Sequence, residues 1–394
     1  MRRWWMLAGV WFCYMTFGLS MASLAPLVRE IESDLAFSHS AMGTVLGAWQ
    51  FVYIFAAIPC GILLDRIGAR WGLAIGALII GLSGIFRGFA EEYIHLLIAV
   101  ALFGLGGPLI SAGAPKVVSE RFEGKDRGLA MGIYITGPGI GAVTALLLTQ
   151  PLILPWLDGN WRVLLQIWGG VSLAAGLFWL LVAKESPRTP DGVEGRAIMS
   201  GLVEMLRIPA VRLILLMSVA VFSINHGMGN WLVEILQSFG ADVSRASALA
   251  TIPVAVGILS ALTLPRMAVG SRRFSVLILL FSCSVLASLA LLGEPVGIWL
   301  YLALIVEGIA AGSMMTVLVL TLVEVPGVGD KRAGTAGGLF FSAAEIGGVG
   351  GPVLLGILFH AQGRFSSSLM VLALLGVLLV ASVFPLRRHL LSKA

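Results

Sequence analysis

Three ionisable residues stand well inside long apolar runs of this chain, where chemistry is the first thing to look for. His226, flanked by Asn225 and Asn230, lies near the middle of the run 211–238. Glu345 lies near the middle of the run 333–361, and Glu307 in the outer half of the charge-poor run 298–324. An ionisable side chain deep in an apolar span costs at least ~2.5–3.5 kcal/mol to insert, so each calls for a function or a partner. An imidazole, with an ordinary pKa of about 6.5, gains and loses a proton near neutrality. A carboxyl can pass through an apolar region once it is protonated. The chemistry on offer is therefore proton binding and release, not bond making. For each residue the plain alternative is a hydrogen bond to a neighbouring helix. Glu234 and Glu324, nearer the ends of their runs, read as solvated anchors.

The first half of the chain offers neutral groups instead. Tyr14 and Thr16, then Trp49, Gln50 and Tyr53, then Tyr134 and Thr136 combine rings with hydrogen-bonding tips. Such a wall suits a small organic or weakly anionic solute, although aromatic residues in apolar helices also serve simply as packing. Trp4, Trp5, Trp71, Trp156, Trp161 and Trp299 fall at the ends of apolar runs and read as interfacial belt residues. There is no G-x-x-x-x-G-K-[ST] phosphate loop and no H-E-x-x-H. Neither a nucleophile nor a metal cluster supports an enzyme, and no cofactor is implied. Cys13, Cys60 and Cys283 all sit in apolar runs and suggest no disulfide framework.

The elements that must position these residues follow from composition. Of 394 residues, 58% are hydrophobic and 12% charged, and the mean hydropathy is +0.97. A soluble domain carries about 25% charged residues. A soluble multidomain enzyme, a disordered chain and a disulfide scaffold are excluded. A spanning helix needs about 20 mainly apolar residues, and twelve candidates are present: 4–28, 41–64, 71–90, 95–118, 129–150, 162–183, 211–238, 246–269, 275–292, 298–324, 333–361 and 366–385. The expected fold is all-α and integral to the membrane. It comprises a six-helix bundle at 1–183, a charged linker at 184–210 and a second six-helix bundle at 211–394.

The net charge of +5 has a topological explanation. Of the 26 lysines and arginines, 20 fall in the termini and the connections on one side of such a layout. By the positive-inside rule both termini and the linker are then cytoplasmic, in a plasma (inner) membrane. No nucleic-acid partner is needed to account for the charge.

The two halves echo one another. Arg127, Met131 and Gly132 precede a span broken by Gly137, Pro138, Gly139 and Gly141. Arg332, Ala336 and Gly337 precede one expected to be equally broken, by Gly347, Gly348, Gly350, Gly351 and Pro352. Between spans 2 and 3 runs Gly61-Ile-Leu-Leu-Asp65-Arg66-Ile-Gly68-Ala-Arg70, and Pro265-Arg266 to Gly270-Ser-Arg272-Arg273 looks like its eroded copy. The two glycines permit a tight turn and close helix approach at Gly61 and Gly68. Asp65 among arginines needs a cation or a helix N-terminus if buried.

This G-x-x-x-D-R-x-G-x-R loop, with the six-plus-six layout, resembles the signature of the major facilitator superfamily. The stretch from Arg87 through Arg121 to Trp161-Arg162 is similar, more loosely, to the cyanate and nitroimidazole porters. The resemblance implies a secondary transporter working by alternating access about a site at the bilayer midplane. Spans 1, 4, 7 and 10, with 2, 5, 8 and 11, would line the cavity. Asp65, with Arg66 and Arg70, would act as a gate, latching onto the start of span 11. Proton coupling through His226 and the second-half glutamates fits that picture. An uncoupled facilitator or exchanger, a channel and a transporter-like receptor are the rivals. Span 4 lacks the arginine of proton-coupled drug exporters and spans 2 and 8 lack the arginines of nitrate porters, so neither substrate class is favoured. The expected partners are a small-molecule substrate, protons and lipid, with a single chain as the working unit.

Overall fold

The computed structural model describes residues 2–184 and 203–391, which contain helices and no strand. Among the described residues eleven helical segments are long and apolar enough to cross a membrane. One of them, His39–Arg87, has 49 residues. A straight helix of that length would run roughly 74 Å, against a hydrocarbon core of about 30 Å. It breaks at Gly68, where φ is 80° and ψ is 162°, a backbone conformation open to glycine and rarely to other residues. The helix is thus two spans, and the total is twelve.

The helices are α1 (Arg2–Ala22), α2 and α3 (39–67 and 69–87), α4 (Tyr93–Arg121), α5 (Gly124–Ile135, continued by Gly137–Leu148), α6 (Trp161–Val182), α7 (Pro209–Ser238), α8 (Val243–Met267), α9 (Arg272–Leu292), α10 (Ile298–Val323), α11 (Gly329–Gln362) and α12 (Ser366–Leu391). Twelve helices in two bundles is the expected architecture. Two compact units are separable: Met1–Gly192 with Leu232–Thr251, and Val193–Trp231 with Ile252–Ala394. The expected linker 184–210 lies mostly outside the described residues.

Two expectations need correction. The first span is not one helix to residue 28. It ends at Ala22, turns through Ala25–Leu27 and resumes as a separate helix, Val28–Leu35. The break is stabilised by Arg87, which is 2% exposed. Its Nη1 donates to the Ser20 carbonyl at 2.9 Å and the Ser23 hydroxyl at 3.1 Å, placing positive charge at the negative end of α1. The second concerns the glycine-rich spans. α5 is interrupted at Thr136 before Gly137-Pro138, whereas α11 runs through Pro352 without a break. Neighbouring helices in a membrane bundle can absorb an internal proline.

Each unit packs its helices through glycines at equivalent places. A Cβ added at Gly141 of α5 would lie 1.9 Å from the Met15 carbonyl oxygen of α1, and one at Gly347 of α11 would lie 1.8 Å from that of Val219 in α7. Small residues let membrane helices meet backbone to backbone. The repeat seen in the sequence is therefore a repeat of helix contacts.

Candidate functional site

The neutral groups of the first unit converge as an aromatic wall. Tyr14 on α1 stacks on Tyr134 of α5, with ring centres 5.8 Å apart and planes 21° from parallel. Phe17 lies 5.7 Å from Tyr14 and meets Trp49 of α2 edge-on at 6.1 Å. Trp49 in turn meets Tyr53 and Phe103 edge-on. Close packing of α4 on α2 is what brings Phe103 there, since a Cβ at Gly104 would lie 2.2 Å from the Trp49 carbonyl. The Tyr53 hydroxyl is 2.8 Å from that of Ser111. Gln50 and Thr16 are fully buried, and Thr16 donates to the Cys13 carbonyl within its own helix. Thr136 accepts from the Trp11 indole at 3.1 Å. The wall combines ring faces with hydroxyl and amide tips and includes no charged side chain among the residues named.

The ionisable residues of the second unit stand on α7, α10 and α11. Glu307 is 2% and Glu345 4% exposed. In each, Oε2 is buried without a hydrogen-bond partner among the described residues. The His226 ring lies 5.4 Å from that of Phe222, which also meets Phe341 of α11 at 6.3 Å. Contact of α7 with α11 at Gly347 and Gly351 explains why residues of these two helices share one neighbourhood. Asn230 turns its amide back on the His226 carbonyl at 2.8 Å, within the helix. Asn225 reaches the Ala311 carbonyl of α10 at 3.5 Å, and its own Oδ1 is buried without a partner.

Asp65 has its partner inside its own unit. Its Oδ1 receives Lys116 Nζ of α4 at 2.5 Å. Arg70 is turned toward α6, its carbonyl accepting from the Trp179 indole at 2.8 Å. Arg66 is exposed beside Asp65. Gly61 has open space around it, so the close approach expected there is not made; Gly68 alone makes the turn.

The sequence reading missed a second charged cluster. Glu234 is 2% exposed and not a solvated anchor. Arg29 Nε donates to its Oε2 at 2.9 Å, Gln237 to its Oε1 at 2.9 Å, and His39 Nε2 lies 3.8 Å from Oε2. His39 Nδ1 is 2.6 Å from Glu32. Arg162 pairs with Asp34, which also accepts from Trp161 at 3.1 Å. Trp161 is accordingly buried, not a belt residue. The available signal was the acidic run Glu30, Glu32 and Asp34 just before His39, at positions two apart.

A family model described as the Major Facilitator Superfamily matches residues 10–352. An uncharacterized transporter of Bacillus subtilis, YycB, is 24% identical, over 94% of this chain and 90% of its own. The hexuronate transporter of the same organism is 23% identical, over 95% and 92%. A D-galactonate transporter of Escherichia coli is 24% identical, over 93% and 91%. Of solved structures, the nucleoside transporter NupG matches with a TM-score of 0.83 at 16% identity, over 97% of this chain and 99% of that one. A bacterial homologue of the human lysosomal transporter Spinster matches at 0.77 and 18%, over 99% and 98%. These structural likenesses establish the fold alone. The narrower likeness to cyanate and nitroimidazole porters finds no support among these relatives.

Proposed function

The chain belongs to the Major Facilitator Superfamily, a family of membrane transporters and not of enzymes, and from that premise we propose that it moves a small hydroxylated organic anion across the membrane by alternating access, together with a proton. The plasma (inner) membrane, with both termini cytoplasmic, is the proposed location, and one chain the proposed working unit.

One observation carries the coupling: Glu307 and Glu345 are buried, each with a carboxyl oxygen that has no hydrogen-bond partner among the described residues. A carboxylate so placed is costly and a neutral acid is not, so a group of this kind can hold a proton in one step and lose it when water reaches it. His226, with Asn225 beside it, is the second group on these helices that can take up and release a proton. The substrate class rests on two supports. Relatives are named for hexuronate and D-galactonate. The stacked Tyr14–Tyr134 pair, Tyr53 and Gln50 offer ring faces and hydrogen-bonding tips suited to a carbon chain bearing hydroxyl groups. Lys116 is engaged by Asp65 and is not assigned to the substrate. Asp65, with Arg66, Gly68 and Arg70, is assigned to the gate.

The test is a pair of assays in proteoliposomes. His226→Gln or Glu345→Gln abolishes accumulation driven by a pH gradient but spares exchange of labelled substrate at equal pH, because exchange needs no net proton movement. Accumulation that persists in both single variants and in the double variant removes proton coupling through these residues and leaves an uncoupled facilitator or exchanger.

A further inference from the structure

At one end of the second unit, α9 and α12 enclose a cavity of about 200 Å³. Its rim carries Arg272 and Arg387 with the hydroxyls of Ser271 and Ser275, and its wall continues along Ile278 and Phe384. We propose that this groove binds an anionic phospholipid, its phosphate between the two arginines and an acyl chain along the apolar wall.

Three features argue for that occupant. Among the described residues no acidic side chain lines the cavity. The neighbouring Arg273 is engaged elsewhere, paired with Glu324 and donating to the Gly270 carbonyl at 2.7 Å. Arg272 and Arg387 therefore present net positive charge to the groove. Second, the arginines stand where α9 begins and α12 nears its end, at the depth where an apolar span gives way to headgroups. Third, the groove changes character along its length, from cation and hydroxyl at the helix ends to aliphatic and aromatic further in. A soluble anion has no use for the second part, and a phospholipid uses both. Basic pockets between membrane helices are the known chemistry for anionic headgroups. The groove between α3 and α6 of the first unit makes a contrast. Trp71, Ile75, Leu78, Leu173 and Leu177 line it, with no charged residue, so it offers an acyl chain a wall and a phosphate nothing.

The experiment is native mass spectrometry of the full chain, purified and delipidated, titrated with phosphatidylglycerol and with phosphatidylethanolamine. One phosphatidylglycerol is expected to bind in preference to phosphatidylethanolamine. Each of Arg272→Gln and Arg387→Gln weakens it about fivefold at low salt, and Arg387→Lys retains most of the affinity. Ser275→Trp, which fills the groove without altering charge, abolishes that binding, whereas Arg364→Gln, outside the groove, leaves it unchanged. Equal affinity for the two lipids overturns the proposal, as does undiminished binding in the double glutamine variant. Displacement of the lipid by millimolar inorganic phosphate assigns the groove to a soluble anion and overturns it too. Thermal unfolding of each variant in the same detergent separates loss of the site from loss of the fold.

Discussion

Replacing Gly347 by alanine sets a methyl carbon 1.8 Å from the Val219 carbonyl oxygen, 2.7 Å from its carbon and 2.8 Å from the Ser223 hydroxyl. Two of the three obstacles are backbone, so no side-chain rotation removes them. The α7–α11 gap must open until the Cβ stands beyond 3.0 Å, the limit below which real Cβ contacts essentially do not occur. Forcing one extra carbon into a filled interior costs roughly 1–3 kcal/mol. Gly350 in the same helix has nothing within 4 Å of its would-be Cβ, so Gly350→Ala meets no obstacle and gains up to ~1 kcal/mol in helix propensity. Thermal unfolding of the purified protein, followed by modification of its buried cysteine Cys13, should show Gly347→Ala melting several degrees below the parent and Gly350→Ala at or above it. The same substitution at Gly351, 2.3 Å from the Ser223 carbonyl oxygen, should side with Gly347. Equal melting temperatures for all three would refute the claim that backbone contact holds these helices together.

Further outcomes follow from the other sites. Asp65→Asn should hardly change stability, since the Asp65–Lys116 pair is largely exposed at its carboxylate and such pairs contribute at most ~1 kcal/mol; turnover should slow while substrate binding persists, and unchanged turnover would remove Asp65 from the gate. Glu234→Gln leaves Arg29 and His39 without their buried carboxylate and should destabilise the protein by about 1–3 kcal/mol, read as a lower melting temperature. Tyr134→Ala removes a ring and a hydroxyl from the wall; with one hydrogen bond to the substrate contributing about 0.5–1.5 kcal/mol, substrate affinity measured by binding should fall two- to tenfold, and an unaltered affinity would detach the wall from the substrate. In a background with the native cysteines replaced, Glu204→Cys and Ser366→Cys should label from opposite faces of the membrane; labelling from one face contradicts the proposed sidedness.

The apolar runs made the spans legible because a bilayer imposes one length on every helix that crosses it. The glycines marked helix contacts for the same kind of reason: only a residue without a Cβ fits where Gly141 meets Met15 and Gly347 meets Val219. The internal repeat could be read because equivalent contacts need equivalent small residues. Burial near the helix ends could not be read. Glu234 stands within a turn of the end of α7, where sequence alone makes solvation the natural expectation. It is enclosed because Val28–Leu35 follows a break in α1 that depends on Arg87, 67 residues from the Ser20 carbonyl it satisfies. Trp161 is covered through its bond to Asp34, which lies on that same short helix. Such burial is a property of tertiary packing, and no local pattern encodes it. α11 shows the converse. Its glycines and Pro352 read as a break, and the helix stays continuous because packing on α7 supports it.

The central claim is that an organic anion and a proton cross together. It is met most directly by recording luminal pH in proteoliposomes of the purified chain while a hexuronate or an aldonate is added outside, with no imposed pH gradient and the membrane potential clamped. Coupled entry predicts luminal acidification that tracks uptake of the labelled anion and disappears in Glu345→Gln. Uptake of the label with no change in luminal pH would contradict the account.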